Sequence, residues 1–200
     1  MDVTADMVKQ LREKTGLGVM DCKNALKEAQ GNLEKAVEIL RKKGMKTAEG
    51  KRHRLTNQGV IESYVHVGGK IGVLLEINCE SDFVARNEQF QTFARDMALH
   101  ICAANPKYLN RESVPQEVLD KEKEIFRALA LKEGKPEKIV DKVVEGRLVK
   151  FYEEKCLMDQ PYIKDQNKSL QEILEEIIGK IRENIQIRRF VRFELGEDIE

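Results

Sequence analysis

Ile71, Val73, Leu75 and Ile77 stand at every second position of one short segment. Side chains two apart share a face of an extended chain, so this run reads as a half-buried strand. One strand is not stable alone and must find partners. Gly68-Gly69 just before it is a hairpin signal, preceded by the β-rich run Val60, Ile61, Tyr64 and Val65. The only other period-two stretch lies far along the chain, at Ile185, Ile187, Val191, Phe193 and Leu195. Arg189 interrupts that face, where a bulge or a sheet edge is expected. Completing a three-stranded antiparallel sheet therefore brings the last strand back to the hairpin. With helices on one side of that sheet, the expected fold class is α+β.

The helices follow from apolar stripes at a period near 3.6. Phe90, Phe93, Ala94, Met97 and Ile101 mark one, which Asn105-Pro106 ends. Val118, Ile125, Phe126 and Leu129 mark a second, broken at Gly134-Lys135-Pro136, and Ile139, Val143, Leu148, Phe151 and Tyr152 a third. An irregular or extended piece opens at Gln160-Pro161, and Leu170, Ile173, Leu174, Ile177, Ile178 and Ile181 give a last, strong stripe. Ahead of the sheet, three short helices are marked by Met7, Val8 and Leu11, by Cys22, Ala25, Leu26 and Ala29, and by Leu33, Ala36, Val37 and Leu40. Gly16, Gly31 and Gly44 punctuate them. The expected domains are a three-helix bundle over 1–44, a basic linker over 45–57 and an α+β core over 58–200. From Arg41 to Arg54 there are seven basic residues against Glu49 alone. That stretch reads either as a solvated connector or as a surface for an acidic partner or RNA.

Composition narrows the function by exclusion. Lys plus Arg and Asp plus Glu number 35 each, so net charge gives no case for nucleic acid as the main partner. No apolar run is long enough to span a bilayer, and Met1-Asp2-Val3-Thr4 is no signal-peptide start, so a cytoplasmic protein is expected. Cys22, Cys79, Cys102 and Cys156 show neither zinc nor disulfide spacing and are expected to be reduced core residues. His53, His66 and His100 form no metal-binding pattern, and the glycine-rich phosphate cradles and the nucleophile elbow do not occur. No cofactor and no metal are expected, and acid pairs such as Glu153-Glu154 and Glu175-Glu176 read as solvated helix faces.

The connection from Ser81 to Arg86 is unusual. It carries the apolar pair Phe83-Val84 beside Asp82, with Asn87 placed to cap the next helix. Two readings stand. Phe83 packs back on the core as a staple before the helix, or it projects as an aromatic anchor into a partner's pocket.

The run Glu76-Ile77-Asn78-Cys79-Glu80-Ser81-Asp82-Phe83-Val84-Ala85-Arg86 closely resembles the signature of the elongation factor Ts family around its Thr-Asp-Phe-Val motif. The run from Leu11 to Leu26, through Thr15-Gly16-Leu17-Gly18-Val19-Met20-Asp21, resembles that family's opening signature. Gly146-Arg147, Gln160-Pro161-Tyr162 and Arg192-Phe193-Glu194 are also similar to it, so the likeness covers nearly the whole chain. Ser81 replaces the family's usual Thr and keeps the hydroxyl. The longer members carry a duplicated core and an inserted helical hairpin, whereas one core unit is visible here, as in the short form.

The resemblance implies a guanine-nucleotide exchange factor, not an enzyme, acting on elongation factor Tu. It implies a bundle of the ubiquitin-associated type that meets the GTPase's G domain through Arg12, Val19 and Met20, although Val19 is often Met in the family. Ser81, Asp82, Phe83 and Val84 match the tetrapeptide that dislodges Mg²⁺ from the GTPase, and His66 matches a contact to another of its domains. The short form further implies a homodimer in a two-plus-two complex, with no membrane and no direct nucleic-acid contact. Rival classes are an RNA binder using residues 41–54, which lack an aromatic platform, an enzyme with an unrecognised site, and an adaptor for ubiquitin-like partners.

Overall fold

The computed structural model describes residues 3–198. Residues 1–2 and 199–200, the outer ends of the expected first and last domains, lie outside the described residues. Contacts divide the chain into two units.

The first unit holds the chain up to Gly59, with Asn78–Gln91 and Glu172–Gln186. Helix α1 (Ala5–Thr15) starts where Thr4 Oγ1 accepts the Met7 N–H and stops at Gly16, whose φ of +68° suits glycine. Helices α2 (Val19–Glu28) and α3 (Leu33–Glu49) complete the bundle, with Asn32 capping α3 at Lys35 N. Leu11, Cys22, Ala25, Leu26, Ala29, Ala36 and Leu40 close into its small core, mostly the stripes expected from the sequence.

Helix α3 departs from expectation. It does not end at Gly44 but continues to Glu49, and Ala48 is buried. The close approach here constrains Gly179 of helix α8 (Leu170–Ile181), on which a Cβ would stand 3.1 Å from the Gly44 Cα, whereas a Cβ on Gly44 would meet nothing within 4 Å. The basic stretch stays largely exposed, with five of its cations paired to carboxylates. Arg41 pairs with Glu172, Lys42 with Glu38, Lys43 with Glu28, Arg52 with Glu175 and Arg54 with Glu80.

The second unit holds Val60–Ile77, Thr92–Gln171 and the chain from Ile187. Strands β1 (Gln58–Val65), β2 (Ile71–Cys79) and β5 (Ile185–Glu194) form an antiparallel sheet in the order β1-β2-β5. Gly68 and Gly69 take positive φ in the expected hairpin. Val73, Leu75 and Ile77 are buried, as are Phe93, Ala94, Met97, Ala98 and Ile101 of helix α5 (Glu88–Ala104). Arg192 Nε donates to Cys102 O at 3.2 Å, tying β5 to α5.

The last strand changes phase. Ile185 and Ile187 are buried, Arg188 and Arg189 are both exposed, and then Arg192 turns inward while Val191 and Phe193 face solvent. Arg188 and Arg189 both reach Glu76, at 3.1 and 2.7 Å, which consecutive residues of a regular strand do not do. The five apolar residues expected on one face of this strand are thus divided between two. Ile61, Leu74, Val191 and Phe193 are left exposed on the sheet.

Helices α6 (Gln116–Lys132) and α7 (Glu137–Lys155) pack as a hairpin around Ala130, Val140 and Val144. The extended piece after Gln160 is a small antiparallel pair, β3 (Pro161–Tyr162) and β4 (Asp165–Ser169). His100, fully buried, fastens it. Its Nδ1 accepts the Ile163 N–H at 3.3 Å, so Nε2 carries the proton and donates to Gln160 Oε1 at 2.9 Å. Gln160 Nε2 donates in turn to Glu154 O and Ala104 O. Burial holds the imidazole below its ordinary pKa of 6.5, against the opposing pull of the Gln160 bond.

All four cysteines are buried and unpaired. Among the described residues no helix is long and apolar enough to cross a membrane.

Candidate functional site

Strand β2 ends at Cys79, and the chain turns through Glu80 and Ser81 into helix α4 (Asp82–Ala85). The segment expected to be a plain connection is therefore helical, and the residue that starts it is Ser81. Its Oγ accepts the Val84 N–H at 3.3 Å. A helix of one turn has little stability of its own, because nucleation fixes several residues for a single hydrogen bond. Anchors at both sides compensate. Ser81 donates from N to Glu183 Oε2 at 3.0 Å and from Oγ to Glu183 Oε1 at 2.6 Å. Glu80 Oε1 accepts the Asn184 N–H at 2.6 Å, so the two chain segments exchange carboxylates. Asn184 is buried and donates from Nδ2 to Arg54 O at 2.8 Å. Beneath them the Cys79 thiol lies 3.1 Å from Ser81 O. Burial and then the Glu183 charge push that thiol up to about 11, so it stays protonated and donates. Burial also acts on Glu80, but the Asn184 N–H and Arg54 outweigh it and hold the carboxyl below its ordinary value.

On this braced turn Phe83 is 86% exposed. The core-staple reading of Phe83 is overturned: Ala85, not Phe83, is the buried residue of α4. Asp82 pairs with Arg86 at 3.0 Å, and Val84 is half-buried. In the same unit, Val19 and Met20 open α2 and are 50% and 63% exposed, and Arg12 is exposed on α1. Seven of the eight candidate residues, Arg12, Val19, Met20 and Ser81–Val84, thus belong to one compact unit. The eighth, His66, stands exposed at the end of β1 in the other unit, with Nδ1 3.1 Å from Tyr64 Oη.

Sequence reasoning missed Arg182, Glu183 and Asn184. They appear in the sequence only as the polar break between the α8 stripe and the β5 alternation. Arg182 takes φ of +64°, a left-handed turn that ends α8, and its guanidinium reaches Asp21 at 2.6 Å. No single-sequence signal relates Glu183 to Ser81.

The fold and site define an α+β protein whose candidate site is a presented surface with an aromatic at its tip. The elongation factor Ts family model matches residues 2–197. The chain is 58% identical over 198 residues to elongation factor Ts of Caldanaerobacter subterraneus subsp. tengcongensis, covering 99% of both chains. It is 59% identical over 197 residues to that of Carboxydothermus hydrogenoformans, covering 98% of this chain and 91% of the relative. To that of Pseudothermotoga lettingae it is 57% identical over 198 residues, covering 99% of this chain and all of the relative. The chain belongs to the elongation factor Ts family.

Proposed function

We propose that this protein is the guanine-nucleotide exchange factor for elongation factor Tu in translation elongation, working in the cytoplasm. It binds the GDP form of the GTPase, displaces Mg²⁺ and promotes GDP release so that GTP can bind. The observation that carries this reading is Phe83, held almost fully in solvent on a turn braced from both sides.

The mechanism needs no bond-making residue on this chain, which is why it is a binding factor and not an enzyme. The GTPase holds GDP through its own phosphate loop and through Mg²⁺, the main charge that balances the phosphates. Arg12, Val19 and Met20 dock the bundle on the G domain, and His66 contacts another domain of the GTPase. Ser81 to Val84 then enter the partner, where Phe83 wedges between elements that line the metal site. Burying one Phe contributes roughly 1.5–3 kcal/mol, which corresponds to about ten- to a hundredfold of coupling. Coupling is reciprocal, so GDP must weaken the complex as much as the factor weakens GDP.

The active assembly we propose is a homodimer carrying two GTPases. The exposed apolar residues of the sheet, Ile61, Leu74, Val191 and Phe193, support it. Residues 41–54 offer no aromatic platform, which speaks against RNA as the partner of the basic stretch.

The role of the metal is tested by following release of fluorescent GDP from elongation factor Tu with and without a chelator. With Mg²⁺ present the protein is expected to speed release strongly. Once the chelator has removed the ion, little acceleration should remain. Acceleration of equal size in both conditions would contradict displacement of the metal.

A further inference from the structure

We propose that Glu183 is a positioning residue for exchange: through Ser81 it fixes the direction in which Phe83 is presented, and α8 carries that direction from the three-helix bundle. This rests on the exchange reading above.

Both oxygens of the Glu183 carboxylate are engaged by one residue, Ser81, through its N–H and its hydroxyl. Because the Ser81 hydroxyl proton is committed to Glu183, a lone pair on the same oxygen is left facing the Val84 N–H. The carboxylate thus orients the cap, and the cap orients the single helical turn that carries Phe83. A four-residue helix has little stability of its own with which to keep one orientation, so it depends on anchors outside itself. Asn184, the next residue, closes the clamp from the other side by donating to Glu80.

The anchor is itself fixed to the bundle. Helix α8 lies so close to α3 that even a Cβ on Gly179 would stand only 3.1 Å from the Gly44 Cα. At its end Arg182 adopts the left-handed conformation usually left to glycine or asparagine, and there it pairs with Asp21, adjacent to Met20. A glycine would make the turn more easily but could not reach Asp21. Consecutive residues therefore hold the two candidate contact regions, Arg182 the start of α2 and Glu183 the start of α4.

A residue that only aims Phe83 should alter the rate within the complex more than the strength of docking, which Arg12, Val19 and Met20 share. The test measures GDP release from elongation factor Tu over a range of factor concentrations for the wild type, Glu183→Gln, Ser81→Ala and the double variant. Glu183→Gln is expected to lower the saturating rate about tenfold, since charge-assisted bonds are lost. The half-saturating concentration should change less than about twofold. The double variant should be no slower than the slower single variant, because both substitutions cut the same link. In parallel, amide hydrogen exchange should show Val84 and Ala85 losing protection in Glu183→Gln while the amides of α1 to α3 keep theirs. A folded Glu183→Gln protein with the wild-type saturating rate, a loss confined to half-saturation, or losses that multiply in the double variant would overturn the proposal. So would unchanged protection at Val84 and Ala85. If the wild type itself fails to release GDP, the exchange reading falls, and the amide data still decide the clamp.

Discussion

The contact between α3 and α8 makes two glycines unequal, and that inequality can be measured. Gly44 and Gly179 both lie inside helices, where glycine costs about 1 kcal/mol relative to alanine. A Cβ on Gly44 would meet nothing within 4 Å. Gly44→Ala should therefore gain close to the full helical term, about 0.5–1 kcal/mol, part of it from a less flexible unfolded chain. A Cβ on Gly179 would lie 3.1 Å from the Gly44 Cα, a backbone atom that cannot rotate aside. Carbon atoms prefer roughly 3.5–4.0 Å, so the helices must separate by about half an ångström, and overpacking of this kind costs roughly 1–3 kcal/mol. Gly179→Ala should end between no gain and a loss of about 2 kcal/mol once its helical term is subtracted. The expected gap between the two variants is about 1–3 kcal/mol, read as a difference in urea midpoint at equal slope. Equal stabilisation by both alanines, or a Gly179→Ala protein more stable than Gly44→Ala, would refute the close approach of α8 to α3.

Two further outcomes follow from the second unit. His100 is buried and its pKa is held below 6.5, so the folded state resists a proton that the unfolded chain accepts. Stability should be fully present above the unfolded value and should fall as pH drops below about 6.5, with the Ile163 N–H bond lost on protonation. Urea unfolding of wild type and His100→Gln across pH 5 to 8 checks it, and the variant should lack the histidine part of that slope. Val191→Glu places a charge among the exposed apolar residues of the sheet. Sedimentation should then show a monomer with unchanged circular dichroism, whereas a dimer that survives the substitution would move the proposed homodimer contact elsewhere.

Much of the fold could be read from periodicity, because stripes at 3.6 and at 2 record which face each element buries. The bundle core, the hairpin at Gly68-Gly69 and the helix carrying Phe93 and Met97 are all written locally. Features decided by distant partners were not legible. Gly44 reads as a stop, yet α3 runs through it to Glu49, and the glycine that the α3–α8 approach does require, Gly179, is remote in sequence. The face exchange in β5 depends on Glu76 drawing two consecutive arginines. Three carboxylates that pair with the basic stretch, Glu172, Glu175 and Glu80, are likewise not nearby in the chain.

The candidate site divides the same way. The family signature marks Ser81 to Val84, but a lone aromatic beside an acid fits a core staple as well as an anchor. Exposure of Phe83 removes the staple reading, and the bonds of Glu183 explain how one helical turn holds it there.

The most direct test of the account is release of fluorescent GDP from elongation factor Tu at saturating factor, comparing wild type with Phe83→Ala. Because Phe83 is 86% exposed, the variant should melt like the wild type, within about 0.5 kcal/mol. The account predicts fast release by the wild type and release slowed about ten- to a hundredfold by the variant. A folded Phe83→Ala protein that releases GDP as fast as the wild type would contradict it.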